Sequence, residues 1–334
     1  MAASGKARRT HLLHLGRCAG ALLLGLAAAL PAARAAYPDK PIRWIVPAAA
    51  GGGADAAVRV VTVALTRRLG QPFVLDNRPG AAGAIGLEAI AKAAPDGYTL
   101  GTANLSNFVV ASLVSTRLPY RPERDFTPIA KLTTQPNLLA VTAGLPVRSV
   151  AELIAYAKAH PQALFYGSSG SGSALHVVTE LFRSSAGIEL VHVPYKSSVA
   201  AGTDLAAGQI QLMIDNLSTL APNVKGGRIR ALATTGPRRS ALLPDVPTMA
   251  EAGVPAAEMV TWGGVVGPAN LPAEVVRRLS TEINAVLTDP AVVRQLAELG
   301  YDAAPQTTAQ FADLIKADNA KWGAVITRGN IKAD

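Results

Sequence analysis

Residues 166–176 read YGSSGSGSALH, four serines and three glycines set between an apolar strand-like run and a helix-like run. Three catalytic motifs come near this stretch, and each fails on one residue. A phosphate loop needs a lysine after its second glycine, but Gly167 and Gly172 are followed by Ser173. A dinucleotide fingerprint begun at Gly170 and Gly172 needs a third glycine where Leu175 stands. A hydrolase elbow needs Gly-x-Ser-x-Gly, and two residues after Ser169 comes Ser171. What remains is a set of N–H groups and hydroxyls at a helix start, suited to an anion.

The same strand–glycine turn–helix grammar recurs through the chain. IRWIVPA (42–48) is a continuous apolar run, as in a strand buried on both faces, and GGGADAAVRVVTVALTRRLG (51–70) opens with a glycine turn into an alanine-rich helix ending at Gly70. PFVLDN (72–77), YTLGTA (98–103), LFYGSS, IELVHVPY, QIQLMID and IRALATT read as further strands. Ser149 to Glu152 reads as a capping box opening the helix AELIAYAKAH. The last 63 residues, from Pro272, read as mostly helical. This alternation predicts α/β architecture with parallel sheets covered on both faces. No linker divides the chain, so two domains would share segments that cross between them more than once.

The N-terminus carries an address. Lys6, Arg8, Arg9 and Arg17 precede the apolar stretch 19–30, and Ala33-Arg34-Ala35 gives the small-x-small pattern of a cleavage site before Ala36. The apolar stretch is shorter than the roughly 20 residues a membrane span requires. Arg8-Arg9 raises a twin-arginine route, but His11 sits where that signal prefers an apolar residue, which favours the general route. Cys18 precedes the apolar stretch instead of following it, so a lipid anchor is not expected. Without the leader the chain keeps 27 Lys and Arg against 23 Asp and Glu, a net charge of +4 in place of +9. No basic stripe for nucleic acid remains. The absence of cysteine beyond Cys18 sets aside disulfides and thiolate chemistry. His160, His176 and His192 show no ligand spacing, so neither metal nor cofactor is expected.

Two glycine-rich loops, PAAAGGGAD (47–55) and YGSSGSGSALH, both join a strand to a helix, where ligands of such sheets bind. Facing each other from two domains, they would present positive partial charge on both walls of a cleft. Asp55 falls in a first helical turn, where it could act as a cap, and His176 falls in another. Tyr195 and Lys196 offer a hydroxyl and an ammonium at a strand end; Asp215 with Asn216, and Asn104 with Ser106 and Asn107, end apolar strands. No Ser/His/Asp set, paired carboxylates or cofactor motif emerges.

Taken together, YPDKPIRWIVP (37–47), GGGAD (51–55), DNRPGAAGAIG (76–86), PDGYTL (95–100), LPYRPERDFTPI (118–129), YGSSGSGSALH, VPYKSS (193–198), DLAAGQIQLMIDN (204–216), RALATTGPRRSALLPDVPTMAEAGVP (230–255) and TWGGVVGPANLP (261–272) resemble the substrate-binding proteins of tripartite tricarboxylate transporters, the Bug-type receptors. The resemblance implies an α/β, two-domain type II periplasmic-binding fold that closes like a flytrap. Two strands would cross between domains near 134–142 and 257–265, giving one domain of 36–136 plus 259–334 and a second of 137–258. It implies a soluble periplasmic receptor, a monomer without cofactor, that delivers an organic carboxylate to a membrane permease, or presents it to a sensor partner. The ligand shell carried over by position is Ala49, Gly51, Gly52, Asp55, Asn104, Ser106, Ser168, Ser169, Gly170, Ser173, His176, Tyr195, Lys196 and Asp215. Ala54 stands where threonine is common in the family, Ala82 and Ala84 where Gly and Asn are usual, and Gly101 where an apolar residue is usual. The competing reading is an exported esterase using Ser168 or Ser169 with His176.

Overall fold

The structure is a computed structural model, and it describes residues 37–332. The expected leader, its cleavage site and Cys18 lie outside the described residues. The apolar run Ile42–Val46 forms β1, parallel on one side to β2 (Phe73–Asn77) and on the other to β3 (Thr99–Asn104). Between β1 and β2 runs α1 (Gly53–Leu69), whose Ala57, Val58, Val61, Ala64 and Leu65 are all buried. It ends where Gly70, at φ 71°, takes the left-handed conformation and donates its N–H to the Thr66 carbonyl. Helix α2 (Ala84–Ala91) covers β1 and β3.

The chain then makes β4 (Phe126–Thr142), which serves two sheets in turn. Its first part, Phe126 to Pro136, pairs antiparallel with β9 (Val260–Pro268). From Asn137 onward it pairs antiparallel with β7 (Leu212–Asn216) and β8 (Ile229–Thr234). The change of partner falls at Pro136, the residue with no N–H to give to a ladder. The return path lies alongside: the Thr235 N–H donates to the Asn137 carbonyl and the Met259 N–H to the Thr235 carbonyl, 2.9 and 2.8 Å. The result is a two-domain α/β fold with crossover strands.

The second sheet continues from β7 through β5 (Phe165–Ser168) to β6 (Val191–Pro194), all parallel. Its helices are α3 (Val150–Ala159), α4 (Ala174–Ala186), α5 (Ser198–Ala207) and α6 (Leu217–Lys225). The C-terminal part adds α7 (Ala273–Leu287), α8 (Pro290–Glu298), β10 (Asp302–Gln306) and α9 (Thr308–Gly329).

Two expectations need correction. The sheets are mixed, not parallel: β4, which runs through both sheets in one direction, is antiparallel to β9, β10, β7 and β8, and β9 is antiparallel to β3. The C-terminal stretch is mostly helical, as expected, and adds one short strand, β10, paired with β4 through an irregular register. The segment DAAPQ lacks any β-branched or aromatic residue, so the neighbouring ladder decides its conformation. At Ser149 the hydroxyl accepts the Glu152 N–H as expected, but the Glu152 carboxylate takes the Arg148 N–H, so the box is not closed reciprocally. Reciprocal boxes stand elsewhere: Asn104 and Asn107 hold each other's N–H groups at 2.9 and 2.8 Å and open a π-helical turn, Leu105–Val110, and Thr307 with Gln310 opens α9 in the same way.

The departure at Gly101 also has its reason. A Cβ there would come within 2.1 Å of the Ile90 side chain of α2 and 2.8 Å of the Ile45 carbonyl. Ile90 fills the space that an apolar side chain at 101 would take.

Candidate functional site

A cleft of about 320 Å³ is lined from both domains and by the strands that join them. From α1 come Ala54, Ala57, Val58 and Val61, and from the end of β3 and the π-helical turn come Asn104, Leu105 and Ser106. The second domain supplies Ser169, Ala174, Leu175, Ser198, Asp215 and Asn216. The crossing strands contribute Thr133 and Gln135 of β4 and Thr261, Trp262 and Gly263 of β9, and Tyr301 leads into β10.

Four helices of nine or more residues begin at this lining: α1, α4, α5 and α6. Each start carries roughly half a positive charge from its aligned peptide dipoles. Ser173 and Ser197 cap α4 and α5 by accepting the N–H groups of His176 and Ala200. The start of α1 is open. Gly52 provides no side chain to cap it, and among the described residues the N–H groups of Gly53, Ala54 and Asp55 have no acceptor. Among the described residues, no Lys, Arg or His lines the cleft. Its attraction for an anion is therefore built from backbone and hydroxyl groups.

The sequence profile of the tripartite tricarboxylate transporter family receptors matches residues 57–331. A protein of Bordetella bronchiseptica placed in the UPF0065 group is 38% identical over 329 residues, covering 97% of each chain. A solved structure described as a periplasmic transporter is 39% identical with a TM-score of 0.77, covering 90% of this chain and all of that one. A protein of R. palustris solved with adipate is 38% identical with a TM-score of 0.78, covering 89% of this chain and all of that one. The chain belongs to the tripartite tricarboxylate transporter receptor family. It is a periplasmic solute receptor that passes a carboxylate to a membrane permease, and not an enzyme.

Of the receptor's fourteen anticipated ligand residues, Asn104, Ser106, Ser169 and Asp215 come together in the cleft lining. Ala49, Gly51 and Gly52 are exposed on the turn that leads into α1. Asp55 is buried below that turn. Its carboxylate accepts the Gly51 N–H at 3.0 Å, Asn77 Nδ2 at 3.0 Å and the Arg59 guanidinium at 2.9 Å. Burial alone would raise its pKa; the bonds from Arg59, Gly51 and Asn77 outweigh that and hold it below the usual carboxylate range. Asp55 thus shapes the first loop and leaves the cleft to the N–H groups above it.

The second loop is braced in the same way. Ser168 is fully buried; its hydroxyl lies 2.7 Å from His192 Nε2, donates to the Gly170 carbonyl and accepts the Gly170 N–H. Gly170 (φ 121°) and Gly172 (φ 69°) hold angles that other residues rarely adopt. The Gly172 N–H donates to His176 Nδ1 at 3.1 Å, and the His176 ring stacks on His192 with centroids 3.8 Å apart. Burial lowers both histidines to about 4, and the Arg183 charge adds to this at His176. Neutral His176 is thereby free to accept the loop's N–H. The esterase pairing of Ser168 or Ser169 with His176 does not form: Ser168 is paired with His192 and sealed from solvent, while His176 is engaged by Gly172. Tyr195 donates its hydroxyl to Asp204 at 2.8 Å, and Lys196 is exposed and outside the lining.

Sequence reasoning had noted Asn216 beside Asp215 but missed Thr133, Gln135, Ser198, Thr261, Trp262 and Tyr301 in the lining. Ser198, Thr261 and Trp262 fall within the family-like stretches VPYKSS and TWGGVVGPANLP, a signal that was available. Thr133, Gln135 and Tyr301 carried no local mark.

Proposed function

We propose that the receptor is exported through residues 1–35, acts as a monomer, and captures a small organic carboxylate in this cleft before delivering it to its permease. The observation behind the reading is the convergence of four helix starts on a lining without a cationic side chain. Each such start is worth about 0.3–2 kcal/mol to an anion, depending on burial. The ligand's carboxylate sits at the open start of α1 and the Ser169–Ser173 turn, with Asn104 and Ser106 donating from the first domain. The R. palustris protein solved with adipate, 38% identical, supports a small carboxylate as cargo.

The domains run 36–136 plus 259–334 and 137–258, and they close on the ligand about Pro136 and the return strand. A thermal-shift screen of the mature protein against small organic acids tests the reading. A ligand at 100 times its dissociation constant adds about 2.7 kcal/mol of stability, and small-angle scattering should then show a smaller radius of gyration. A panel of acids in which none raises the melting temperature overturns it. Loss of solute uptake on deleting the receptor marks the permease as partner; unchanged uptake with lost induction marks a sensor.

A further inference from the structure

One carboxylate lines the cleft without a cation to hold it. Asp215, near the end of β7, is 1% exposed and borders the cleft with Ser198 and Asn216. Its Oδ2 accepts the Ser198 hydroxyl and its Oδ1 accepts the Asn216 N–H at 2.6 Å. Strand β5 lies between β6 and β7, all three parallel, so the loops that follow them open at one end of the sheet. Gly167 stands beside Met213, which brings Asp215 level with Ser169, and Ser168 stands beside Pro194, from which the chain runs on to Ser198. The Ser198–Asp215 bond thus links the chain on either side of β5, beside the start of the Ser169–Ser173 turn. The elements packed against β7 bring Asp215 no partner among the described residues. On α4, His176 is neutral and Glu180 holds Arg183; Tyr166 of β5 donates to Glu180, and Asp204 of α5 holds Tyr195. The part of β4 paired with β7 has no ionisable group, Lys225 lies at the far end of α6, and Lys196 before α5 is exposed. Across the cleft, burial moves Tyr301 further from neutrality.

An ionised carboxylate only accepts hydrogen bonds, and a serine hydroxyl has one proton to give. With Asp215 ionised, the Ser198 proton is spent inward and Ser198 turns lone pairs to the cleft. A carboxylate arriving there meets those lone pairs, with a like charge behind them in a site largely removed from water. With Asp215 protonated, the bond can reverse: the acid donates to Ser198 Oγ, and the Ser198 hydroxyl is free to donate to the cleft. We propose that Asp215 serves capture as a carboxylic acid: one proton from solvent enters with the ligand, Asp215 donates it to Ser198 Oγ, and Ser198 donates its own hydrogen to the ligand's carboxylate. This rests on the carboxylate reading above. Burial already raises the Asp215 carboxyl to about 6, against the bonds from Ser198 and Asn216, and a second negative charge nearby raises it further. Proton and ligand therefore each strengthen the binding of the other.

The test is calorimetry on the mature receptor with hexanoate, butanedioate and hexanedioate. Free Asp215 is mostly ionised above about pH 6, so wild-type affinity for the acid that binds should fall at least about tenfold between about pH 6.5 and pH 8. Heats measured in buffers of different ionisation enthalpy should show close to one proton taken up per ligand at about pH 7.5. Asp215→Asn, whose amide donates to Ser198 at every pH, should take up no proton and keep its affinity level with pH. At about pH 8 it should bind about tenfold tighter than wild type. Adding Ser198→Ala to that variant removes the donor and should weaken it at least about tenfold. An affinity level with pH and without proton uptake in the wild type overturns the proposal and leaves the carboxylate reading standing. So does a double variant that binds as tightly as Asp215→Asn alone. Binding by none of the three acids at any pH overturns the carboxylate reading itself.

Discussion

Replacing Asp215 with Asn should make the unliganded receptor more stable at neutral pH, by an amount the structure allows to be worked out. Burial raises the Asp215 carboxyl from its ordinary 3.8 to about 6, against the opposing bonds from Ser198 and Asn216. At about 1.4 kcal/mol per pKa unit, holding it ionised in the folded state costs roughly 3 kcal/mol. Asparagine has the same outline, accepts the Asn216 N–H and donates to Ser198, without the charge. The sign with pH follows from where the proton is held. The folded protein binds it more tightly than the unfolded chain, so the raised value contributes stability that is full below about pH 3.8 and is lost as pH rises through about 6. The advantage of Asp215→Asn is thus about 2–3 kcal/mol at pH 7.5 and shrinks towards zero near pH 4. Urea titrations of both proteins at a series of pH values measure the difference directly, and other titrating groups cancel between them. A variant less stable than wild type at pH 7.5, or an advantage constant with pH, would show that Asp215 carries no desolvation penalty and would refute the reasoning.

Three further outcomes are expected. Gly52→Asp should abolish carboxylate binding while leaving the fold intact, because Gly52 sits at φ −77° with room for a Cβ, whereas Lys196→Met should change affinity by no more than about 1 kcal/mol; calorimetry with the best acid decides between them. Gly101→Ala should destabilise by about 1–3 kcal/mol through overlap with Ile90, and pairing it with Ile90→Ala should cost measurably less than the sum of the two changes in a denaturation cycle. His176 and His192, half-buried and neutral, should weaken the protein as pH falls from about 6.5 towards 4, since the unfolded chain takes up their protons first; His192→Gln should flatten that acid limb in a melting series.

How much of this was legible in the sequence depended on whether the cause was local. The two glycine loops were visible because backbone demands them: Gly51, Gly170 and Gly172 all hold positive φ, and no other residue type does so freely. The strand runs of the parallel parts were visible because burial on both faces leaves an unbroken apolar stretch. Tyr301 and Gln135 were not visible, since each reaches the cleft only through a long-range pairing, β10 on β4 and β4 on β9. Asp215 stood among the candidate ligand residues from its position, but its lack of a counter-ion is a property of the packed structure. Lys196 illustrates the converse: a cation beside a family-like motif attracts notice in a sequence, yet its side chain lies in solvent and outside the lining.

The composition of the cleft also bears on what a transport receptor must do after capture, which is to let go. A buried guanidinium or ammonium would grip a carboxylate firmly, and removing it from water would cost several kcal/mol in the empty state. Helix starts and hydroxyls are satisfied by water when the cleft is open and by the ligand when it is closed, so the difference between the two states stays small. Gln135 links this to the hinge: it lines the cleft, donates to Ser218 near the start of α6 at 2.7 Å, and stands next to Pro136, where β4 changes sheets. In the closure proposed above, movement about Pro136 would shift the α6 start relative to the α1 start, so the ligand would be released as the two walls part.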